Sequence, residues 1–469
     1  IVFINLQIFK KIPIMRHERK QTDAHTITLS KTYEYMATRR PIIALIPEGD
    51  TKKVLKDYSR SYITSPDDIE KVKKTILQAI CCPILKNLLL NTLRPRVLVA
   101  PLNWGLGHAT RCIPIIHGLL EQNCQVIIGA NGKAGKLLQQ EFPHLPYVET
   151  PGSEIRYSQN KIFFPLLLLW QMPRFLKQIR AEKNWLKQQI TEWNLDAVIS
   201  DNRYGLTNPG IRSVLITHQL LIKTGQGILL DRWIQQIGYW LLNKFDEVWV
   251  PDYQGVWALA GELSNPKKLP ITPIRYIGML NRFTNKRNEV RVATDAHLLF
   301  LVSGPEPQRE IFETLIVQSL PNFTGSCTLI KGKPESASLE NFSSSEKLAL
   351  LYGKADVKIF EHLESVALQL EIENASLIIC RSGYTSLMEL LPQHKKLVLV
   401  PTPGQPEQEY LAQYCQQNGW APYLTQECFS IEKANQLAAA FSYQQYSPST
   451  LLLQPILEEW VNSLSGKNS

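Results

Sequence analysis

Residues 377–410, LIICRSGYTSLMELLPQHKKLVLVPTPGQPEQEY, constrain the fold more than any other stretch of the chain. The apolar run 377–380 has the length and the bounding turn of a buried strand, and 397–400 repeats it. Between them, after a tight turn at Ser382 and Gly383, lies a helix carrying Glu389. A loop of proline and glycine then opens a polar helix bearing Gln408 and Glu409. Strand, helix and strand at this spacing make a βαβ unit, which implies a parallel sheet. Ligands of such sheets bind beyond the carboxyl ends of the strands, where both loops of this unit lie. Each residue also has a local reading. Ser386 and Glu389 have the spacing of a helix capping box, Gly383 suits a simple turn, and Arg381 suits a solvated surface charge.

A chain of 469 residues holds two or three domains. Its composition, 44% hydrophobic and 20% charged, is that of a soluble globular protein, and no apolar run is long enough to span a bilayer. The eight cysteines show no CxxC spacing, and several sit in apolar strand-like runs. They read as reduced core residues of a cytoplasmic protein, not as a metal site or a disulfide frame. A net charge of +9 suits anionic lipid surfaces or nucleotide diphosphates and is too dispersed to point to nucleic acid. The chain opens on Ile without a signal-peptide pattern, so its start reads as a fragment end.

The main body begins with RVLVAP, residues 96–101, a fully buried strand. The loop NWGLGHATRC follows, where glycines 105 and 107 let backbone approach a ligand closely. His108 stands at the strand's carboxyl end, placed to act as a general base or to orient a hydroxyl. It can equally bond a loop carbonyl. Strands continue at 125–129, 197–200, 214–217, 247–251 and 275–278, and their ends bring Asp201 and His218 toward one cleft. Asp201 also reads as a cap or turn residue. Residues 161–187 pair an apolar run with a basic amphipathic segment. They suit an interfacial helix, or a core helix with a solvated basic face, and 227–245 has the same two readings. The polar run 281–291 reads as a linker, and 297–302 opens a second domain.

Taken in order, the motifs of residues 95–465 resemble the MurG-like glycosyltransferases of family 28. The resemblance implies an α/β chain of GT-B fold, two Rossmann-like doubly wound domains facing a cleft. Residues 93–283 would be the acceptor domain and 284–469 the nucleotide-sugar donor domain. It implies donor contacts at Ser303, Gly304, Arg309, Phe360, Arg381, Ser382, Gly383, Thr385, Glu389, Gln408 and Glu409. Among these, Glu389 would accept from the ribose hydroxyls and Phe360 would lie by the base. Arg381 or Arg309, with the helix start after Gly383, would face the diphosphate. Acceptor contacts fall on Gly105, Gly107, Asp201 and His218, and the catalytic base on His108. One departure stands out: Pro305 and Pro307 remove two N–H donors from the family's Gly-rich phosphate loop, and Glu306 adds a like charge.

Residues 1–92 resemble the C-terminal end of a family 4 glycosyltransferase, with Glu34 on its donor helix. This partial α/β piece is assigned no activity. The whole chain reads as an inverting glycosyltransferase that moves a sugar from a UDP-linked nucleotide-sugar to a hydroxyl of a glycan or lipid-linked acceptor. No cofactor or metal is required in this reading, and nucleic acid is not a partner. Its place is the cytoplasm, with peripheral contact at the inner face of the membrane. GLGHATRC also resembles the GxGHxxRC loop of related nucleotide-sugar hydrolases, and a catalytically silent nucleotide-sugar-binding protein is the third reading.

Overall fold

The computed structural model describes residues 14–16, 42–45, 56, 61–64, 94–103, 106–152, 164–222, 227–283, 297–333, 356–448 and 452–465. The chain divides into two compact units, Ile1–Arg94 and Pro95–Ser469. In the first, strands β1 (Ile14–Arg16), β2 (Ile42–Leu45) and β3 (Ser61–Thr64) form a parallel sheet in sequence order. β2 lies within the apolar run PIIALI of residues 41–46. Glu34 lies outside the described residues.

The second unit carries two parallel sheets. In its first half, β4 (Arg96–Pro101) leads to α1 (Gly107–Glu121), β5 (Gln125–Ala130), α2 (Gly132–Glu141) and β6 (Tyr147–Glu149). The long α3 (Phe164–Trp193) then crosses to β7 (Ala197–Asp201) and β8 (Arg212–Ile216), before α4 (Ile228–Leu242), β9 (Glu247–Val250) and β10 (Ile274–Tyr276). Strand order is β10-β9-β8-β7-β4-β5-β6. In the second half come β11 (His297–Leu301), α5 (Gln308–Ser319), β12 (Ser326–Ile330), β13 (Asp356–Phe360) and α6 (Ser365–Asn374). They are followed by β14 (Leu377–Cys380), α7 (Tyr384–Leu390), β15 (Lys396–Leu399), α8 (Pro406–Gln417), α9 (Ile431–Ala440) and α10 (Leu453–Ser465). This sheet has the order β13-β12-β11-β14-β15.

Sheets covered on both faces need strands that are apolar throughout, which is why their strands read as unbroken hydrophobic runs. Val97, Leu98, Val99 and Ala100 of β4, and Ile378 and Ile379 of β14, have no exposed surface. One apolar cluster runs through both lobes, from Val97 and Ile116 to Leu299, Ile378 and Leu397. The last helix, α10, belongs in sequence to the second half but packs on the first. Trp460 meets Trp249 edge-on at 5.4 Å, and Glu459 pairs with Arg275 at 2.8 Å.

The basic segment after residue 173 is settled by its inner face. Ile179, Glu182 and Leu186 are buried, while Lys177, Arg180, Lys183 and Lys187 face solvent. It is a core helix with a solvated basic face. Of the described cysteines, Cys112, Cys124, Cys327, Cys380 and Cys415 are free and buried, and Cys428 is free and exposed.

In each sheet the chain starts in the middle and builds outward both ways. The reversal falls between β4 and β7 in one sheet and between β11 and β14 in the other. A crevice opens at such a switch point, beyond the strand ends. The loops there carry His108 and Asp201 in the first lobe, and Ser303, Gly304 and 381–383 in the second.

Candidate functional site

On the first lobe, the loop after β4 runs directly into α1, so His108 is the second residue of the helix. Arg111 follows one turn later on the same face. Both reach Asp201, the fully buried last residue of β7. His108 Nδ1 lies 3.0 Å from Asp201 Oδ1. Arg111 clamps the carboxylate through Nε and Nη2, and Nη2 also lies 2.8 Å from His108 Nδ1.

Burial alone would raise the Asp201 pKa, but Arg111 and His108 outweigh it and hold the carboxyl at about 2. Burial pushes the His108 pKa below its ordinary value, Asp201 pulls it back up, and Arg111 lowers it again. The result is a neutral imidazole beside a permanent carboxylate. When Nδ1 donates its proton to Asp201, Nε2 keeps a lone pair, which is the arrangement of a general base.

Asp201 and His218, expected to touch the acceptor, are both engaged by protein partners. Asp201 has no exposed surface and is taken up by Arg111 and His108. His218 has both ring nitrogens engaged, Nδ1 with Arg111 at 3.2 Å and Nε2 with Glu407 at 2.9 Å. Gly107 has a steric role: a Cβ built there would stand 2.7 Å from Thr385 Oγ1 of the second lobe. Only glycine lets the two lobes approach this closely. Gly105 lies outside the described residues.

On the second lobe, Ser303 and Gly304 form the turn after β11, and Gly304 takes φ +109°, a conformation that demands glycine. Gly383 is the N-cap of α7, and Thr385 Oγ1 reaches across to the Gly107 carbonyl at 3.4 Å. Glu389 is at the far end of α7, so the capping box is not formed. Its partner is Arg282, with Nε 2.9 Å from Oε1 and Nη2 3.4 Å from Oε2. Burial raises the Glu389 pKa and Arg282 lowers it, the first prevailing. Although Oε1 is in charge contact with Arg282, it lies off the N–H direction and accepts no hydrogen bond.

The two arginines expected on the diphosphate are likewise enclosed by protein partners. Arg381 is 1% exposed and donates to the carbonyls of Val400, Pro401 and Gln308 and to Gln426 Oε1, leaving only Nε without a bond. Its guanidinium lies over the Phe312 ring, and burial lowers its pKa to about 10. Arg309 is buried between Glu306 and Glu313, with only Nη2 unbonded. Both brace loops from inside. Ser382, fully buried, donates to the Gln408 carbonyl. The Gln408 side chain in turn bonds Thr402 and Gln405, and Glu409 accepts from the Gly404 N–H, so these two shape the 401–405 loop. Phe360 ends β13, half-buried against the shared core.

Several contacts across the cleft have no counterpart among the sequence expectations. Tyr384 stacks flat on His218 at 4.0 Å and donates its hydroxyl to the Pro251 carbonyl. Glu407 accepts from His218 and, through its other oxygen, from Gln219. Arg282 comes from the strand-end segment of the first lobe to meet Glu389. Arg111 was missed by the sequence reading, although its place three residues after His108 on one helix is a signal that could have found it. The other partners are separated from their contacts by more than a hundred residues, and nothing in local sequence marks them.

Residues 324–448 match the model of the glycosyltransferase family 28 C-terminal domain. The structure resembles that of the glycotransferase of kitacinnamycin, with a TM-score of 0.51 and 14% identity over 79% of this chain and 96% of that one. The fold is GT-B. Lower superpositions include SnogD from Streptomyces nogalater, TM-score 0.47 and 15% identity over 80% of this chain and 95% of that one. Another is Acinetobacter baumannii MurG, TM-score 0.43 and 15% identity over 79% and 95%. No curated protein matches the chain. In GT-B terms, the first lobe's switch point carries the His108–Asp201 pair, and the family 28 segment carries Arg381 through Glu409 on the opposite wall.

Proposed function

We propose that this GT-B chain is an inverting glycosyltransferase, transferring a sugar from a UDP-linked donor to an acceptor hydroxyl. The observation that supports this most directly is His108 Nδ1 lying 3.0 Å from the buried Asp201 carboxylate, across the cleft from the segment that matches the family 28 model. His108 Nε2 takes the proton of the acceptor hydroxyl while its oxygen attacks the anomeric carbon. The bond from that carbon to the diphosphate breaks, and the nucleoside diphosphate leaves. With Arg381 and Arg309 turned inward, the first N–H groups of α7 and the Ser303–Gly304 turn are the donors left for the phosphates.

Glu389 is assigned to the ribose, because its buried carboxylate, paired with Arg282 at 2.9 Å, keeps acceptor lone pairs beyond that pair for a hydroxyl. Glu389→Ala is expected to weaken UDP binding by roughly 1.5–3 kcal/mol, a loss of about tenfold or more in Kd. Calorimetric titration with UDP checks this. An unchanged Kd with a lowered melting temperature would reduce Glu389 to a structural partner of Arg282.

Incubating the purified chain with single UDP-sugars and hydroxyl acceptors, with mass detection of products, tests the activity itself. A glycosylated acceptor supports transfer. Free sugar formed at the same rate without acceptor would make the chain a hydrolase, and UDP binding without turnover on any acceptor would make it a silent binder.

A lipid-linked acceptor accords with one face of the first lobe. Trp233 and Trp240, two turns apart on α4, are 44% and 57% exposed, and α3 presents Arg174, Lys177, Arg180, Lys183 and Lys187 to solvent. Among the described residues no helix is long and apolar enough to cross a membrane. Aromatic side chains beside basic ones suit the interface of an anionic bilayer. Co-sedimentation with vesicles containing anionic lipid is expected for the wild-type chain and lost on changing both tryptophans to serine. Equal sedimentation of the double variant would remove this face from consideration.

A further inference from the structure

The central βα turn of the second lobe already holds an anion of its own. α5 starts beyond the carboxyl end of β11, beside the reversal between β11 and β14, where the crevice of such a sheet opens. A helix start in that place attracts anions through its dipole and its unpaired N–H groups. Here those groups are spent within the chain. Pro307, the N-cap, has no N–H, and the Arg309 N–H donates to the Pro305 carbonyl at 3.1 Å. The Glu310 N–H donates to Glu306 Oε2 at 3.1 Å, and the other Glu306 oxygen accepts from Arg309 Nε.

One carboxylate thus joins a helix N–H to a guanidinium, the two kinds of donor that a phosphate would take. The Glu306 side chain is 51% exposed, while Arg309 behind it is enclosed and has its other arm on Glu313 at 2.6 Å. The turn in front is open: a Cβ built on Gly304 would meet no atom within 4 Å. An anion arriving beside Ser303 and Gly304 therefore meets a negative charge where the helix would otherwise offer its N–H groups. Capping α5 needs only the bond to the Glu310 N–H. The hold on Arg309 and the exposed position of the charge go beyond capping.

Resting on the reading of this chain as a nucleotide-sugar transferase, we infer that Glu306 is a specificity-determining residue: it fills the anion place at the start of α5 and turns away anions more highly charged than the donor. The diphosphate of a nucleotide-sugar is esterified at both ends. It carries less charge than inorganic pyrophosphate or a nucleoside triphosphate, and repulsion by a fixed carboxylate grows with that charge. Glu306 therefore works by selective repulsion, admitting the donor and disfavouring its competitors.

Calorimetric titrations of the full chain with inorganic pyrophosphate, UTP and UDP test this. Glu306→Ala uncovers Arg309 Nε and the Glu310 N–H together. Its Kd for pyrophosphate and for UTP should fall about tenfold, and its Kd for UDP by no more than about threefold. Glu306→Gln drops the charge but keeps an acceptor oxygen for one of the two donors, and should move the same way by a smaller factor. Adding Arg309→Gln to Glu306→Ala should abolish the gain, which places it at this turn. A lowered melting temperature in Glu306→Ala with all three constants unchanged would make Glu306 a helix cap and overturn the inference. Equal gains for UDP and UTP, or a gain that survives Arg309→Gln, would overturn it as well. Pyrophosphate binding needs no turnover, so a wild-type chain that transfers no sugar would defeat the transferase reading while this comparison is still decided by its own result.

Discussion

Replacing His108 with alanine is expected to lower turnover about 10²–10⁴-fold, with affinity for UDP close to wild type. The donor-contact candidates lie on the other lobe, so the loss should fall on kcat and not on donor binding. The pH profile carries a second signature. Burial and Arg111 hold the imidazole pKa below 6.5, so wild-type activity should persist down to that range and fall only at lower pH. The variant should lose that acidic limb altogether. A structural histidine would instead lower the melting temperature and leave the rate per folded molecule unchanged. Rates and UDP titrations on the same preparation separate the two.

Arg111→Met carries the largest expected stability effect. The guanidinium is 1% exposed and is the charge partner of a carboxylate with no exposed surface. Removing it leaves Asp201 ionised and buried, which costs about 3–5 kcal/mol. The pH dependence has a definite sign. Asp201 is depressed from an ordinary value of 3.8 to about 2 in the folded chain, so its stabilising contribution is present above 3.8 and is lost as pH falls through about 2. Its size is roughly 2 kcal/mol. In the methionine variant the depression is gone, and stability should no longer fall over that acid window on account of this group. Urea denaturation at neutral and acid pH checks both parts, and a neutral midpoint within about 1 kcal/mol of wild type would contradict the buried-pair account.

Much of the architecture could be read in advance because parallel strands covered on both faces must be apolar throughout. β4, β7 and β14 show this, each without a single exposed residue apart from the half-buried Arg96. β6 was missed for the converse reason: its three residues lie half-exposed or exposed and form no apolar run. In the site, Arg111 was missed although it lies one helix turn from His108. Burial was not legible. Arg381 and Arg309 look in sequence like charges available to an anion, and only the packing of α5 and the 401–405 loop shows them enclosed. The pairs that cross the cleft, Arg282 with Glu389 and His218 with Glu407, are 107 and 189 residues apart and depend on tertiary approach alone.

The return of α10 to the first lobe has a mechanical meaning. The polypeptide passes from one lobe to the other between Phe283 and His297, and back again between α9 and α10, where Tyr446 already bonds the Trp257 carbonyl. Two strands of chain joining two bodies define a line, and bodies joined along a line swing about it more readily than they slide or twist. A second lobe hung this way is held in one register on the first. The seam at Gly107 and Thr385 depends on that register, since the Thr385 hydroxyl meets the Gly107 carbonyl at 3.4 Å and a Cβ at residue 107 would stand 2.7 Å from it.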